Sequence, residues 1–362
     1  VQNFGEKIIA AGQTRADCDY GLAMTCFARA RSVRKVKEIA NSLIAYSLQQ
    51  SRAWPPDENL GGQLRSLVQN PKVCLSSIAA VDSEAAQIIQ FYASGYATLR
   101  RFYDLRDEPV LSKGSKPHLR PLARKRAAAE ALVAVIRSSA DSIYGGLYDP
   151  ERDSAVLVDN LMALLGEAIL FVNGEFSFLP IQVRRSLILS NLDTPSILSI
   201  EQQSNILAAI EDLETVTPRV FAAAQEFFYE CLNEYIYETT GEPRKSSSSP
   251  RSATGLKKSA SGLTASSSFS MIDSHMADSS ITHATNNTMS SSGVLVPKPD
   301  TEYEYANPIE RGWDWRSGLA ESSAVVNGGG TAESEDGDDA IKPDQKLLRV
   351  LRLRLAQRMT WR

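Results

Sequence analysis

An all-α protein is what this sequence predicts: a bundle of long antiparallel helices followed by a disordered Ser-rich tether and a C-terminal basic helix. Three observations carry that reading. Apolar residues recur at steps of three and four through the first 241 positions, the mark of helices with one buried face. No stretch alternates with period two between Asn-Gly or Asp-Gly turns, as half-buried hairpins would. From Glu242 to about Pro343 the chain offers few residues able to fill a core, so this portion cannot offset the entropy of ordering itself. The expected domains are a helical bundle at 1–241, a disordered Ser-rich and acidic linker at 242–343 with an aromatic docking segment at 303–316, and a basic amphipathic helix at 344–362. No self-similarity at the period of stacked helical repeats is evident, which favours a bundle over a solenoid.

The first long helix is expected from about Asp17 to Ala53, with Asp17 as N-cap and Leu22, Cys26, Ala30, Val33, Val36, Ala40 and Leu43 as its inner stripe. Trp54-Pro55-Pro56 ends it, because proline donates no amide and disfavours helix in the residue before it. Gly61-Gly62 and Asn70-Pro71 bracket a short amphipathic piece bearing Leu64, Leu67 and Val68. A second long helix runs from Asp82 to about Arg106, burying Ala85, Ile88, Ile89, Tyr92, Tyr96, Leu99 and Phe102. After a basic connection from Asp107 to Arg120, Pro121 opens a third through Leu132, Val135, Ile136 and Ile143, closed by Gly145-Gly146. Asp153 is expected to cap the next, whose broad apolar face from Val156 to Ile169 predicts a central position, and which Asn173-Gly174 terminates. A short helix from about Pro180 to Asn191 follows. Ser199 and Gln202 then stand at capping-box spacing, and Thr217-Pro218 starts a last helix that stops at Gly241.

Charge and composition narrow the function classes. The 39 basic and 43 acidic residues leave a net charge of −4, so no global field attracts nucleic acid or a membrane, and nucleic acid is not expected as a partner. The four cysteines, Cys18, Cys26, Cys74 and Cys231, form no C-x-x-C pair or disulfide framework, which favours a reducing compartment. The chain lacks an initiator Met, a basic n-region with an apolar run, and any stretch of about 20 apolar residues. A cytoplasmic protein is expected, at an organelle surface or in the nucleus as variants of that, neither secreted nor membrane-spanning. The tether's composition points to a eukaryotic source.

Catalytic signatures are missing. Of three histidines, His275 and His283 fall in the tether, and His118 in the basic connection. Cys26 and Cys231 lie on apolar helical stripes, where small buried hydrophobes are expected. There is no zinc spacing, phosphate loop or Glu-x-x-His pair, so neither metal, cofactor nor enzymatic activity is expected. Glu167 and Glu226 sit in apolar helices, and a solvent-facing helix edge is the expectation for both.

Function is expected at the surface and the C-terminal end instead. Arg29, Arg31, Arg34, Lys35 and Lys37 make the first helix basic, and Arg100, Arg101 and Arg106 on its neighbour would complete a basic patch if the faces adjoin. In the tether, Ser249 precedes a proline, while Ser247 and Ser259 follow basic residues; all three are phosphorylation candidates. Trp313, Trp315 and Arg316 are residue types that anchor interfaces. Their expected receptor is the chain's own bundle or a protein partner. After the acidic run Glu333–Asp339, Leu348, Leu351, Leu355 and Met359 form a helical stripe with Arg349, Arg352, Arg354 and Arg358 around it. Because those arginines fall on both sides of the stripe, docking on the bundle ranks above a partner's groove, and that above lipid. The sequence therefore predicts a non-enzymatic helical adaptor, scaffold or complex subunit with protein partners, regulated by phosphorylation of its linker. The alternative is a peripheral membrane or organelle-tethering factor whose basic helices meet anionic lipid.

Overall fold

A computed structural model describes residues 1–12, 18–111, 120–173, 197–240, 314–317, 319 and 342–360. All of these belong to one compact unit drawn from Val1–Glu242 and Pro297–Arg362; a second unit, Pro243–Val296, lies outside the described residues, as does the expected helix at 180–191. The described helices are α1 (Gln2–Ala11), α2 (Tyr20–Arg29), α3 (Val33–Gln50), α4 (Gly62–Gln69), α5 (Pro71–Ala79), α6 (Ser83–Leu111), α7 (Pro121–Ala140), α8 (Leu161–Asn173), α9 (Ile200–Thr215), α10 (Pro218–Thr240) and α11 (Pro343–Thr360). The body is all-α.

Two helices organise it. In the first half α6 packs against α2, α3, α4, α5 and α7. Tyr96, Leu99, Phe102 and Tyr103 are fully enclosed there. In the second half α8 meets α7, α9, α10 and α11, and Leu161, Met162, Ala163, Leu164 and Leu165 are all wholly buried. A helix apolar on every side has no wet face to offer, which places it at the centre. α10 returns to pack on both α3 and α8, so the halves share one core.

Local signals explain most boundaries. Asp19, rather than the expected Asp17, caps α2 by accepting from Leu22 N at 3.0 Å; Asp17 itself lies outside the described residues. Pro121 occupies the first turn of α7, and Ser199 and Gln202 form a reciprocal capping box on α9.

Helices α1 and α5 were not expected, and α6 runs on to Leu111, through the first residues of the connection expected from Asp107; three further boundaries differ. The single helix from Asp17 to Ala53 is two, broken at Arg31, whose φ of 57° is the left-handed conformation that few non-glycine residues adopt. Salt bridges from Arg31 to Asp82 (2.9 Å) and Glu84 (2.8 Å) hold the turn. Gly145-Gly146 does not end a helix. With φ of +54° and +80°, the pair turns a small antiparallel hairpin in which Ile143 faces Tyr148 and Tyr144 faces Leu147, so α7 stops at Ala140. Asp153 caps nothing: its carboxylate accepts from Lys37 Nζ at 2.5 Å and from the Tyr92 hydroxyl, and α8 begins only after a 3-10 turn at Val158–Asn160.

Candidate functional site: a buried polar clasp at the end of α3

A helix ends with four carbonyls that have no partner inside it and with the negative pole of its dipole. Helix α3 ends in the interior, and Ser51 follows it in the left-handed conformation, φ 45°. Two arginines from distant parts of the chain answer those carbonyls. Arg316 donates Nη1 to the Gln49 carbonyl and Nη2 to that of Gln50 at 3.3 Å. Arg106 donates Nη2 to the Ser51 carbonyl at 2.5 Å.

Each guanidinium is then neutralised in place. Arg106 Nη1 meets Glu167 Oε2 at 3.0 Å, and its Nε and Nη2 form a fork on Asp107 at 2.8 and 2.9 Å. Glu167, from the centre of α8, accepts at Oε1 from the Ser51 hydroxyl at 2.7 Å and the Tyr103 hydroxyl at 2.9 Å. Tyr103 stands one turn before Arg106 on α6, so its ring also lies 4.8 Å under the guanidinium. Burial pushes the Glu167 carboxyl up, while the Arg106 charge and the Ser51 hydroxyl pull it back. Burial alone would lower the Arg106 guanidinium, but Glu167 and Asp107 outweigh it and hold it above its ordinary value.

Arg316 is built the same way. Burial opposes its charge, and Asp314 at 2.7 Å and Glu238 at 3.3 Å restore it, with the Tyr235 ring 5.2 Å away. Beside it Trp315 stacks on Phe228, centroids 5.2 Å apart at 19°, and presses on Gly166 so closely that a Cβ there would sit 2.7 Å from the indole. Glycine at 166 is therefore what admits the indole to α8. Among the described residues the buried Trp315 Nε1 has no hydrogen-bond partner, a cost that the stacking must outweigh.

The tail helix α11 docks nearby. Leu347, Leu348, Leu351 and Leu355 are buried, against α8 and α9. Asp344 accepts from Gln225 Nε2 at 2.7 Å and from the Tyr229 hydroxyl at 2.8 Å. Arg352 pairs with Glu214, and Arg358 Nη1 donates to the Phe171 carbonyl at 3.3 Å, near the end of α8. Met359 stays 39% exposed, outside the stripe it was expected to join.

Among the residues singled out in the sequence, Trp315, Arg316, Leu348, Leu351 and Leu355 all lie against the helical body. Trp313, Ser247, Ser249, Ser259 and all three histidines lie outside the described residues. The basic patch does not assemble as expected. Arg29 and Arg34 are exposed, the latter 3.7 Å from Glu38; Arg31 is held by two carboxylates; and Lys35 is buried on the inner face of α3. Arg100 and Arg106 are interior. Arg100 donates to the Pro55 carbonyl at 2.6 Å and pairs with Asp57 at 2.5 Å, so α6 turns these two charges inward, not toward a common face with α3.

Over 300 residues, 83% of this chain, the sequence is 35% identical to nucleoporin NUP85 of Chaetomium thermophilum. The chain spans 23% of the length of that relative. No protein-family model matches.

Glu167, Tyr103 and Ser51 were missed by sequence reasoning. Glu226 is exposed as expected, whereas Glu167 is wholly buried. One signal was available: Glu167 follows Ala163 and Leu164 and precedes Leu170 and Phe171, so the helix leaves its carboxylate no solvent-facing edge. Among the described residues no group of three or more His, Cys, Asp or Glu could hold a metal ion, and no helix is long and apolar enough to cross a membrane.

Proposed function

We propose that this chain is a non-enzymatic helical scaffold subunit of a multiprotein assembly at the nuclear pore. The observation that carries this is the 300-residue similarity to a nucleoporin, which covers most of the chain. The buried acids and bases support a structural use. Glu167, Arg106 and Arg316 are engaged with each other's neighbours and with the end of α3, so they join α3, α6, α8 and the segment at 314–317 into one rigid part. A scaffold needs such rigidity to present its surfaces in fixed register. On this reading the protein resides at the pore, and phosphorylation at Ser247, Ser249 or Ser259 tunes its assembly by adding charge beside basic residues.

The test is to tag the chain at its native locus, image it, and measure the size of the complex it enters by gel filtration of extract. A nuclear-rim signal and elution far above the 39.6 kDa of the chain are expected. A diffuse signal with monomeric elution would refute the proposal.

A further inference from the structure

Helices α10 and α11 are tied by the Asp344 contacts to Gln225 and Tyr229, and Arg352 fastens α11 to Glu214 on α9. Between these ties lies an open cleft of about 690 Å³. Val216, Pro218 and Phe221 line one wall, and Leu348 and Leu353 the other. Leu353 is 54% exposed, and Arg349 at the lip is exposed without an ion-pair partner among the described residues. Cavities of this size with apolar walls and a few placed charges are where ligands and partner segments bind.

We propose that this cleft receives an amphipathic helix of a partner protein, two turns of whose apolar face are flanked by acidic residues. The shape selects a helix. The α11 wall is helical, with its backbone groups paired inside the helix, and on the other wall the Val220 and Phe221 amides are taken by the Thr217 carbonyl, so an extended strand would bury amides and carbonyls with few groups to answer them, whereas a helix brings its own satisfied. The wall from Gln345 to Leu353 is about 12 Å long at 1.5 Å per residue, room for roughly two turns, and a groove between two helices accepts the ridge of a third. Charge selects acidic flanks. Glu214 is already committed to Arg352, leaving Arg349 as the uncompensated charge on the lip, and Arg219 is exposed next to Pro218. The scaffold reading supplies only the premise that the protein has partners; the cleft's chemistry is independent of where the protein resides.

The probe is a fluorescein-labelled synthetic helix with Leu at i, i+3, i+4 and i+7 and Glu on its flanks, titrated against the full chain by anisotropy at about 0.15 M salt. Its Lys-for-Glu counterpart and a version with shuffled Leu positions serve as controls. The acidic peptide is expected to bind at least ~10-fold more tightly than either control. Leu353→Asp should weaken it ~10-fold or more, and Arg349→Glu should weaken it while strengthening the Lys peptide. Both positions are exposed, so the variants keep their circular dichroism. Equal affinity for the three peptides, indifference to both substitutions, or no binding up to ~1 mM peptide would overturn the inference. So would Leu353-dependent binding of the full chain to phosphatidylserine vesicles in place of peptide. Peptide binding lost by a chain that still marks the nuclear rim sinks this inference alone; peptide binding retained by a chain that is diffuse in the cell sinks the scaffold reading alone.

Discussion

Replacing Glu167 by glutamine changes one atom and removes one charge, and the structure sets the size of the result. The new amide can still accept from Ser51 and Tyr103 through its oxygen, but its NH2 group takes the place of the carboxylate oxygen that Arg106 Nη1 meets at 3.0 Å. Two donors then face each other in a site where Glu167 has no exposed surface and Arg106 only 7%. Breaking a buried pair from one side costs about 3–5 kcal/mol; because Asp107 still forks onto Arg106, the low end of about 3 kcal/mol applies. For a body of this size that lowers Tm by about 6–12 °C. Urea unfolding of the full chain, followed by tryptophan fluorescence, would show the midpoint falling at unchanged slope. The partner experiment is Arg106→Met with Glu167→Leu and Asp107→Asn, which removes all three charges of the cluster and should recover most of the loss, to within ~1 kcal/mol of the parent. A Glu167→Gln cost under ~1 kcal/mol, or a triple variant as unstable as the single, would refute the reasoning.

Trp315→Ala should cost about 3–5 kcal/mol, and Trp315→Phe less than half of that, because phenylalanine keeps a ring on Phe228 and removes an orphaned Nε1; urea midpoints separate the two. Gly166→Ala should destabilise by about 1–3 kcal/mol in the parent and by much less in the Trp315→Ala background, a non-additivity that a four-member cycle reads directly. Leu351→Ala, at a position with no exposure, should cost about 2–5 kcal/mol and open α11 to limited proteolysis. Asp104 has its carboxyl pushed up to about 6 by burial, with Arg100 pulling the other way and Asp57 adding to the rise. Folding thus favours its protonated form, a contribution present in full below the unfolded value near 3.9 and lost as pH rises through about 6. Asp104→Asn should therefore be more stable than the parent at pH 8 by no more than about 1 kcal/mol, since the side chain is 45% exposed, and equal to it at pH 4.

How much of this was legible follows from how local each signal is. The capping box at Ser199 and Gln202, Pro121 at the start of α7, the apolar breadth of α8 and the stripe of Leu348, Leu351 and Leu355 are written within a few residues, and each gave the right element. The hairpin was hidden because two-residue strands are too short for alternation to register, although Gly145-Gly146 marked its turn. The break at Arg31 left no trace in the apolar steps: neither its left-handed φ nor its pairing with Asp82, 51 residues away, is written in periodicity. The clasp is less local still. Ser51 meets Glu167 across 116 positions and Arg316 meets Gln49 across 267, and periodicity reports which face of a helix is buried, not what stands opposite. The basic patch failed for that reason: Arg100 and Arg106 look like a wet face until Asp57 and Glu167 are seen against them.

Trp315 and Leu351 fill gaps among helices completed long before them in synthesis. From Thr240 to Thr360 a ribosome adding about 5–20 residues per second takes roughly 6–24 s, and until Trp315 and then α11 arrive the flank of α8 that they cover faces water. A nascent chain at that stage carries an oily seam on the helices already made. Holding chaperones would therefore be expected to dwell on this protein while residues 241–360 are being added, and to leave when α11 arrives.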